Sequence, residues 1–120
     1  MNNSDKLQEI ELENYIIVIY FILLLLYLYA NEIEVNYLKY GNEEDKKRYR
    51  TLLYIVFGTT FIISLFFTIN SIKDLNITED SEIYKLKELS TIANILILIA
   101  SIIIIYLIYK DKNIILEINP

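Results

Sequence analysis

The hydrophobic residues of this chain form three continuous blocks separated by charged sequence. The blocks cover residues 15–30, 52–72 and 92–109, and none of them contains Asp, Glu, Lys or Arg. A helix needs about 20 mostly apolar residues to cross the ~30 Å hydrocarbon core of a bilayer. Continuous hydrophobicity also favours helices over strands, because backbone groups in lipid must be bonded internally. The pattern therefore predicts an all-α membrane protein with three transmembrane helices.

The spans are expected at about residues 15–33, 52–72 and 90–109, within one three-helix domain covering residues 1–120. Charged sequence on either side of the blocks contains few helix breakers, so the helices should extend beyond the bilayer and be joined by short loops. Residues 34–51 are then expected to form a cytoplasmic helical hairpin.

Local signals predict where the three helices begin and end. Ser4 is a candidate N-cap for the first helix, and Gly41-Asn42 reads as a helix stop followed by a new N-cap. The other expected limits are an end of the second helix near Lys73, a turn at 74–76, Thr78 as the N-cap of the third helix, and a last turn near Lys112. An apolar stripe leads into the third span, at Ile83, Leu86, Leu89 and Ile92.

Composition narrows the chemistry that this chain can perform. The 120 residues are 55% hydrophobic, the formal net charge is −5, and there is no Cys and no His. Disulfides, thiolate nucleophiles and the commonest general base are thereby excluded. No glycine-rich phosphate loop, zinc motif or catalytic triad is found. We therefore expect neither an enzyme nor a bound metal or cofactor, and the acidic balance argues against direct binding of genomic nucleic acid.

The distribution of Lys and Arg predicts an orientation. Seven lie in the first loop and the C-terminal region, against four in the N-terminal segment and the second loop. The excess of positive charge marks the cytoplasmic side of a membrane protein. The chain is therefore expected in the cytoplasmic membrane of a bacterium, with its N-terminus outside and its C-terminus inside.

Polar and aromatic side chains inside the second and third spans are the first candidate functional residues. At 3.6 residues per turn the hydroxyls of Thr60, Ser64, Thr68 and Ser71 fall on one face of the second span, in an arc of about 80°. Phe57 and Phe67 lie on or near the same face. These side chains could line a pore, with Phe as a dewetting gate, or pack helices together through small hydroxyls and an amide. The candidates are Phe57, Thr60, Ser64, Phe67, Thr68, Ser71, Asn94 and Ser101.

A basic cluster in the first loop is the second candidate. It consists of Lys46, Lys47, Arg48 and Arg50, directly after the acids Glu43, Glu44 and Asp45. The cations could contact anionic lipid headgroups, or they could bind an anionic signal molecule. The neighbouring acids would oppose an anion unless they pair with the bases within their own helix.

Without catalytic groups, the leading hypothesis is a homo-oligomeric pore or ion channel that permeabilises the membrane when triggered. Three packed helices fill their own centre, so a water-filled path needs several copies around an axis. Three spans with the N-terminus outside and a charged inner end resemble the layout of three-span phage holins. The long acidic-basic first loop and the apolar tail, NIILEINP, depart from that layout.

The pore hypothesis has a second form, and one alternative function stays open. The extended cytoplasmic helices and the basic cluster are also typical of a small membrane effector of an anti-phage defence system, opened by an activating partner protein or an anionic signal. The alternative is a non-conducting accessory or immunity subunit of a membrane complex.

Overall fold

The computed structural model describes residues 3–112, which form three α-helices. Helix α1 is Asn3–Tyr40, α2 is Glu43–Asn76 and α3 is Ser81–Lys110. At 1.5 Å per residue even the shortest is about 45 Å long, beyond the ~30 Å of a hydrocarbon core. All three are long and apolar enough to cross a membrane. The all-helical prediction with three membrane-length helices is confirmed, and assembly as a homo-oligomer stays a prediction. The apolar tail at 113–120 lies outside the described residues.

The loop between α1 and α2 is as short as the sequence predicts. Gly41 has a φ of 70°, a left-handed conformation that glycine adopts without steric cost. Its N–H donates to the carbonyl of Tyr37 at 2.7 Å, which closes the end of α1. The Asn42 side chain accepts from the N–H of Glu44 at 2.9 Å, as an N-cap does. The prediction for Gly41-Asn42 is confirmed.

The loop between α2 and α3 differs from its prediction. Helix α2 continues to Asn76, so the turn expected at 74–76 is wrong. Asp80 is the N-cap of α3, and its carboxylate accepts from the N–H groups of Glu82 and Ile83. The prediction of Thr78 as this cap is therefore wrong. The Thr78 hydroxyl instead donates to the Asp74 carbonyl at 2.7 Å, one of the carbonyls that the last turn of α2 leaves open.

The two outer limits also differ by a few residues. Helix α1 already includes Asn3, so Ser4 is helical and is not the N-cap. Helix α3 ends at Lys110 rather than near Lys112, and the N–H of Asp111 donates to the carbonyl of Leu107 at 2.8 Å. Helix ends fray by a residue or two, and short polar side chains at an end fix the limit only weakly.

The chain divides into two compact units, Met1–Leu52 and Leu53–Pro120. The first holds α1 and the first turns of α2, and the second holds the rest of α2 together with α3. Buried residues of the first unit include Ile16, Leu23, Ala30, Ile33 and Tyr49. Those of the second include Leu53, Val56, Phe57, Ser64, Thr68, Thr91, Ser101 and Ile108. The single domain expected over residues 1–120 stays a prediction.

Most of the apolar surface of the helices faces outward. In the most hydrophobic window of each helix only 22%, 28% and 17% of the residues are buried, for α1, α2 and α3 respectively. The predicted stripe of α3 is also exposed, at Ile83, Leu86, Leu89 and Ile92. A soluble monomer does not leave this much contiguous apolar surface in water. The arrangement is therefore that of a multi-pass membrane protein.

Candidate functional site

In the second unit, hydroxyl and amide side chains join α2 to α3. The Asn94 amide of α3 donates to the Ser71 hydroxyl of α2 at 2.7 Å. The Thr68 hydroxyl lies 3.2 Å from the Asn94 carbonyl and 2.8 Å from the Ser64 carbonyl of its own helix, so its one proton is shared. We call Thr68, Ser71 and Asn94 the polar seam. These three predicted site residues are brought together by the fold.

Ser64 lies one turn before Thr68 on the same face of α2. Its side chain is buried, with 5% of the residue exposed, and its hydroxyl has no hydrogen-bond partner among residues 3–112. A buried polar group without a partner costs about 1–3 kcal/mol. The buried Ser64 hydroxyl thus destabilises the packing of α2 beside the polar seam.

The remaining predicted hydroxyls bond to their own helix. The Thr60 hydroxyl donates to the Val56 carbonyl at 2.9 Å, and the Ser101 hydroxyl donates to the Ile97 carbonyl at 3.0 Å. Such bonds to the carbonyl four residues back satisfy a hydroxyl in an apolar environment without a second helix. Neither residue joins the polar seam, although Ser101 is buried.

The two predicted gate residues have different environments. Phe57 is buried, with 3% of its surface exposed, whereas Phe67 is half-buried and makes an edge contact with Phe66 at 6.1 Å between ring centroids. Gly58, next to Phe57, has open space at its α-carbon, since a methyl group there would meet no atom within 4 Å.

Sequence reasoning missed an ion pair just beyond the polar seam. The Lys87 ammonium of α3 lies 3.0 Å from each carboxylate oxygen of Asp74 and donates to the Thr78 hydroxyl at 3.1 Å. Thr91, one turn further along α3, is buried and donates to the Lys87 carbonyl. The sequence does not predict this pair, because Asp74 and Lys87 are 13 residues apart on different helices. Only the path of the loop between α2 and α3 brings them together.

In the first unit, the four cations of the predicted basic cluster have different environments. Lys46 lies 5.9 Å from the centre of the Tyr37 ring and 3.9 Å from the Glu43 carboxylate, so one of the three acids pairs within its helix as expected. Arg50 is half-buried and already has a partner in the protein. Lys47 and Arg48 are exposed and form no hydrogen bond or ion pair within residues 3–112.

Lys47 and Arg48 border a groove of about 310 Å³, which we call the basic groove. Helix α1 contributes Tyr29 and Ile33 to it, one helical turn apart. Helix α2 contributes Lys47, Arg48, Thr51 and Leu52. The groove therefore has a cationic part and an apolar part, supplied by residues of both helices.

Comparison of the chain with protein-family models, with curated proteins and with solved structures finds no match.

Proposed function

We propose that this chain is the subunit of a homo-oligomeric membrane pore, described here in a closed conformation that opens when α2 and α3 separate at the polar seam. The observation that carries the proposal is the burial of Ser64 and Thr68 on the hydroxyl face of α2, which Thr68 and Ser71 join to α3. Ser64 and Thr68 are each only 5% exposed, although they belong to the polar stripe that could line a water path. Separation of the two helices would turn that stripe toward a lumen.

The polar seam is weak enough to open. Hydrogen bonds between membrane helices contribute on average about 0.6 kcal/mol each, because the separated helices find other partners. The bonds of Thr68 and Asn94 thus oppose opening only modestly. Ser64 favours it, since its unpaired hydroxyl would be hydrated in a wet lumen. A small bias from a trigger can then shift the population of closed and open states.

Several copies are needed, because three helices alone enclose no water. The outward apolar surface of the helices supplies the contact area, since most residues in each hydrophobic window are exposed. In a ring of copies part of that surface would contact neighbouring subunits and the rest would contact lipid. We place the assembly in the cytoplasmic membrane of a bacterium, with the N-terminus outside and the C-terminus inside.

A triggered pore of this kind suits an anti-phage defence effector or a holin-like protein. The two differ in the trigger: an effector waits for a partner protein or an anionic signal molecule, whereas a holin opens without a ligand. The charged helix ends near the Gly41-Asn42 loop, where Glu43, Glu44, Lys47 and Arg48 are exposed, would offer such a partner a contact surface.

The test forces the polar seam open and compares dye release from liposomes. Thr68→Asp places a charge in the seam, where burial costs far more than the lost hydrogen bond, so α2 and α3 should separate and the liposomes should leak without a trigger. Ile69→Asp is the matched control, because Ile69 is 44% exposed and lies outside the seam. It should cause little leak. Circular dichroism should find both variants helical, and Thr68→Asn serves if Thr68→Asp does not fold.

A disulfide lock separates opening from general damage. The chain has no cysteine, so Ser71→Cys with Asn94→Cys in the Thr68→Asp background introduces one possible disulfide across the seam. Oxidation should stop the leak and a reducing agent should restore it, while either single cysteine should respond to neither. A folded Thr68→Asp protein that leaks no more than Ile69→Asp would contradict the proposed pore.

The second candidate function is a non-conducting accessory or immunity subunit. The exposed stripe of α3 favours it, because Ile83, Leu86, Leu89 and Ile92 form an apolar surface that begins before the hydrophobic block of that helix. In this case the polar seam only holds α2 and α3 together. If no variant releases dye from liposomes and the protein is a stable monomer in detergent, this function is favoured over the pore.

A further inference from the structure

We infer that the basic groove binds the headgroup of an anionic phospholipid. The groove lies within the first unit, and its cationic and apolar parts match the two ends of a headgroup region, the phosphate and the start of the acyl chains. The inference is independent of the proposed pore, because it concerns contact with lipid and not the passage of ions.

The order of residues along the groove follows the depth profile of a membrane surface. Lys47 and Arg48 precede Leu52, which opens the uncharged block 52–72. At 1.5 Å per residue Lys47 stands about 7 Å above Leu52 along α2. A bilayer is ~10–15 Å thicker with its headgroups than without them, so each headgroup layer is ~5–7.5 Å thick. The distance along α2 is comparable to that thickness. The cations therefore stand at phosphate depth when Leu52 stands at the hydrocarbon boundary.

The two cations of the groove are available to a ligand. Neither Lys47 nor Arg48 forms an ion pair or hydrogen bond in the described chain, whereas Lys46 contacts Glu43 and the Tyr37 ring. An Arg guanidinium binds phosphate with two parallel hydrogen bonds, and a neighbouring Lys adds a point charge. The groove thus holds the part of the basic cluster that residues 3–112 leave without a hydrogen bond or ion pair.

The size and lining of the groove favour a lipid over a soluble anion. A volume of about 310 Å³ is at the lower limit of small-molecule sites, ~300–1,000 Å³, so it admits a headgroup and not a whole lipid. Its apolar lining includes the buried Ile33 and the half-buried Leu52, and Tyr29 adds an amphipathic ring of the kind enriched at membrane surfaces. A hydrophilic anion would leave the exposed parts of Leu52 and Tyr29 in water, whereas the first methylenes of a lipid would cover them.

The experiment counts lipids bound to the full chain by native mass spectrometry in a neutral detergent. Phosphatidylglycerol is titrated against phosphatidylcholine with the same acyl chains. Phosphatidylglycerol should bind more tightly, and Lys47→Gln/Arg48→Gln should reduce that preference by roughly 10- to 30-fold, since each cation near a surface contributes about fivefold. The control is Lys39→Gln/Lys112→Gln, because both residues are exposed, lie outside the groove and remove the same charge. It should retain the preference.

A second variant tests the groove without changing charge. Thr51→Trp fills the groove from its exposed wall, so it should also weaken phosphatidylglycerol binding. Three results would overturn the inference: an equal loss in both charge variants, no loss with Thr51→Trp, or displacement of the lipid by millimolar inorganic phosphate or a mononucleotide. The last result would assign the groove to a soluble anion. None of these readouts depends on conductance, so failure of the pore proposal would leave them unchanged.

Discussion

The two helical connections of this chain are built from different chemistry. Between α1 and α2 a two-residue loop depends on the left-handed Gly41, and Lys46 stacks near the Tyr37 ring. Between α2 and α3 the contacts are polar, through the seam and the Lys87 ion pair. The first depends on backbone shape and packing, which change little with solvent. The second depends on hydrogen bonds and an ion pair that water molecules can replace. The connection between α2 and α3 is therefore the better candidate for a junction that opens.

The largest expected effect tests packing in the first unit. Ala30 is completely buried, so Ala30→Leu must displace its neighbours and should lower the free energy of unfolding by about 1–3 kcal/mol. Ala93→Leu is the control, because Ala93 is exposed on α3. Unfolding in mixed micelles followed by circular dichroism measures both. Equal stability of the two variants would mean that Ala30 is not tightly packed in the membrane.

The next effect contrasts the two glycines. Gly41→Ala places a side chain at a φ of 70° and should cost about 1–2 kcal/mol, because L residues are strained there. Gly58→Ala lies inside α2 with open space around it and should stabilise the protein by up to about 1 kcal/mol. The same unfolding assay should therefore give shifts of opposite sign. A destabilising Gly58→Ala would mean that a neighbour approaches α2 there in the assembled protein.

The third effect measures the polar seam. Asn94→Leu removes the donor to Ser71 and should cost roughly 0.6 kcal/mol, the average for a membrane hydrogen bond. Asn70→Leu is matched to it, since Asn70 is exposed near the end of the second hydrophobic block, where an amide gains little from lipid contact. Asn70→Leu should be neutral or stabilising. If both substitutions change the free energy of unfolding by the same amount, the seam contributes nothing to joining α2 and α3.

The last effect, and the one most sensitive to salt, belongs to the ion pair. The side chains of Lys87 and Asp74 are 32% and 39% exposed, so solvent screens their attraction and Lys87→Met should cost only about 0.2–1 kcal/mol. The difference from Lys85→Met, an exposed lysine of the same helix, should shrink as salt is added. A larger decrease in the free energy of unfolding that does not change with salt would mean that the pair is shielded from water in the membrane.

Several features of the fold follow from local sequence and were therefore predictable. Three uncharged blocks predict three membrane-length helices, because their length and composition leave no other way to satisfy the backbone in lipid. Gly41-Asn42 predicts a helix stop because only glycine takes its conformation at no cost. Thr78 and Asp80 show where this reasoning fails: both are good caps, and the choice between them depends on whether α2 continues to Asn76.

The candidate sites were predictable by residue but not by arrangement. The sequence by itself determined that Thr68, Ser71 and Asn94 share polar faces and that Lys47 and Arg48 belong to one basic run. Only the tertiary structure decided that the first three bond to one another and that the stripe from Ile83 faces outward. It also decided that, within residues 3–112, Lys46 and Arg50 have partners while Lys47 and Arg48 form no hydrogen bond or ion pair. The reason is physical: a helical period fixes which residues share a face, whereas the partner of that face depends on distant residues brought close by packing.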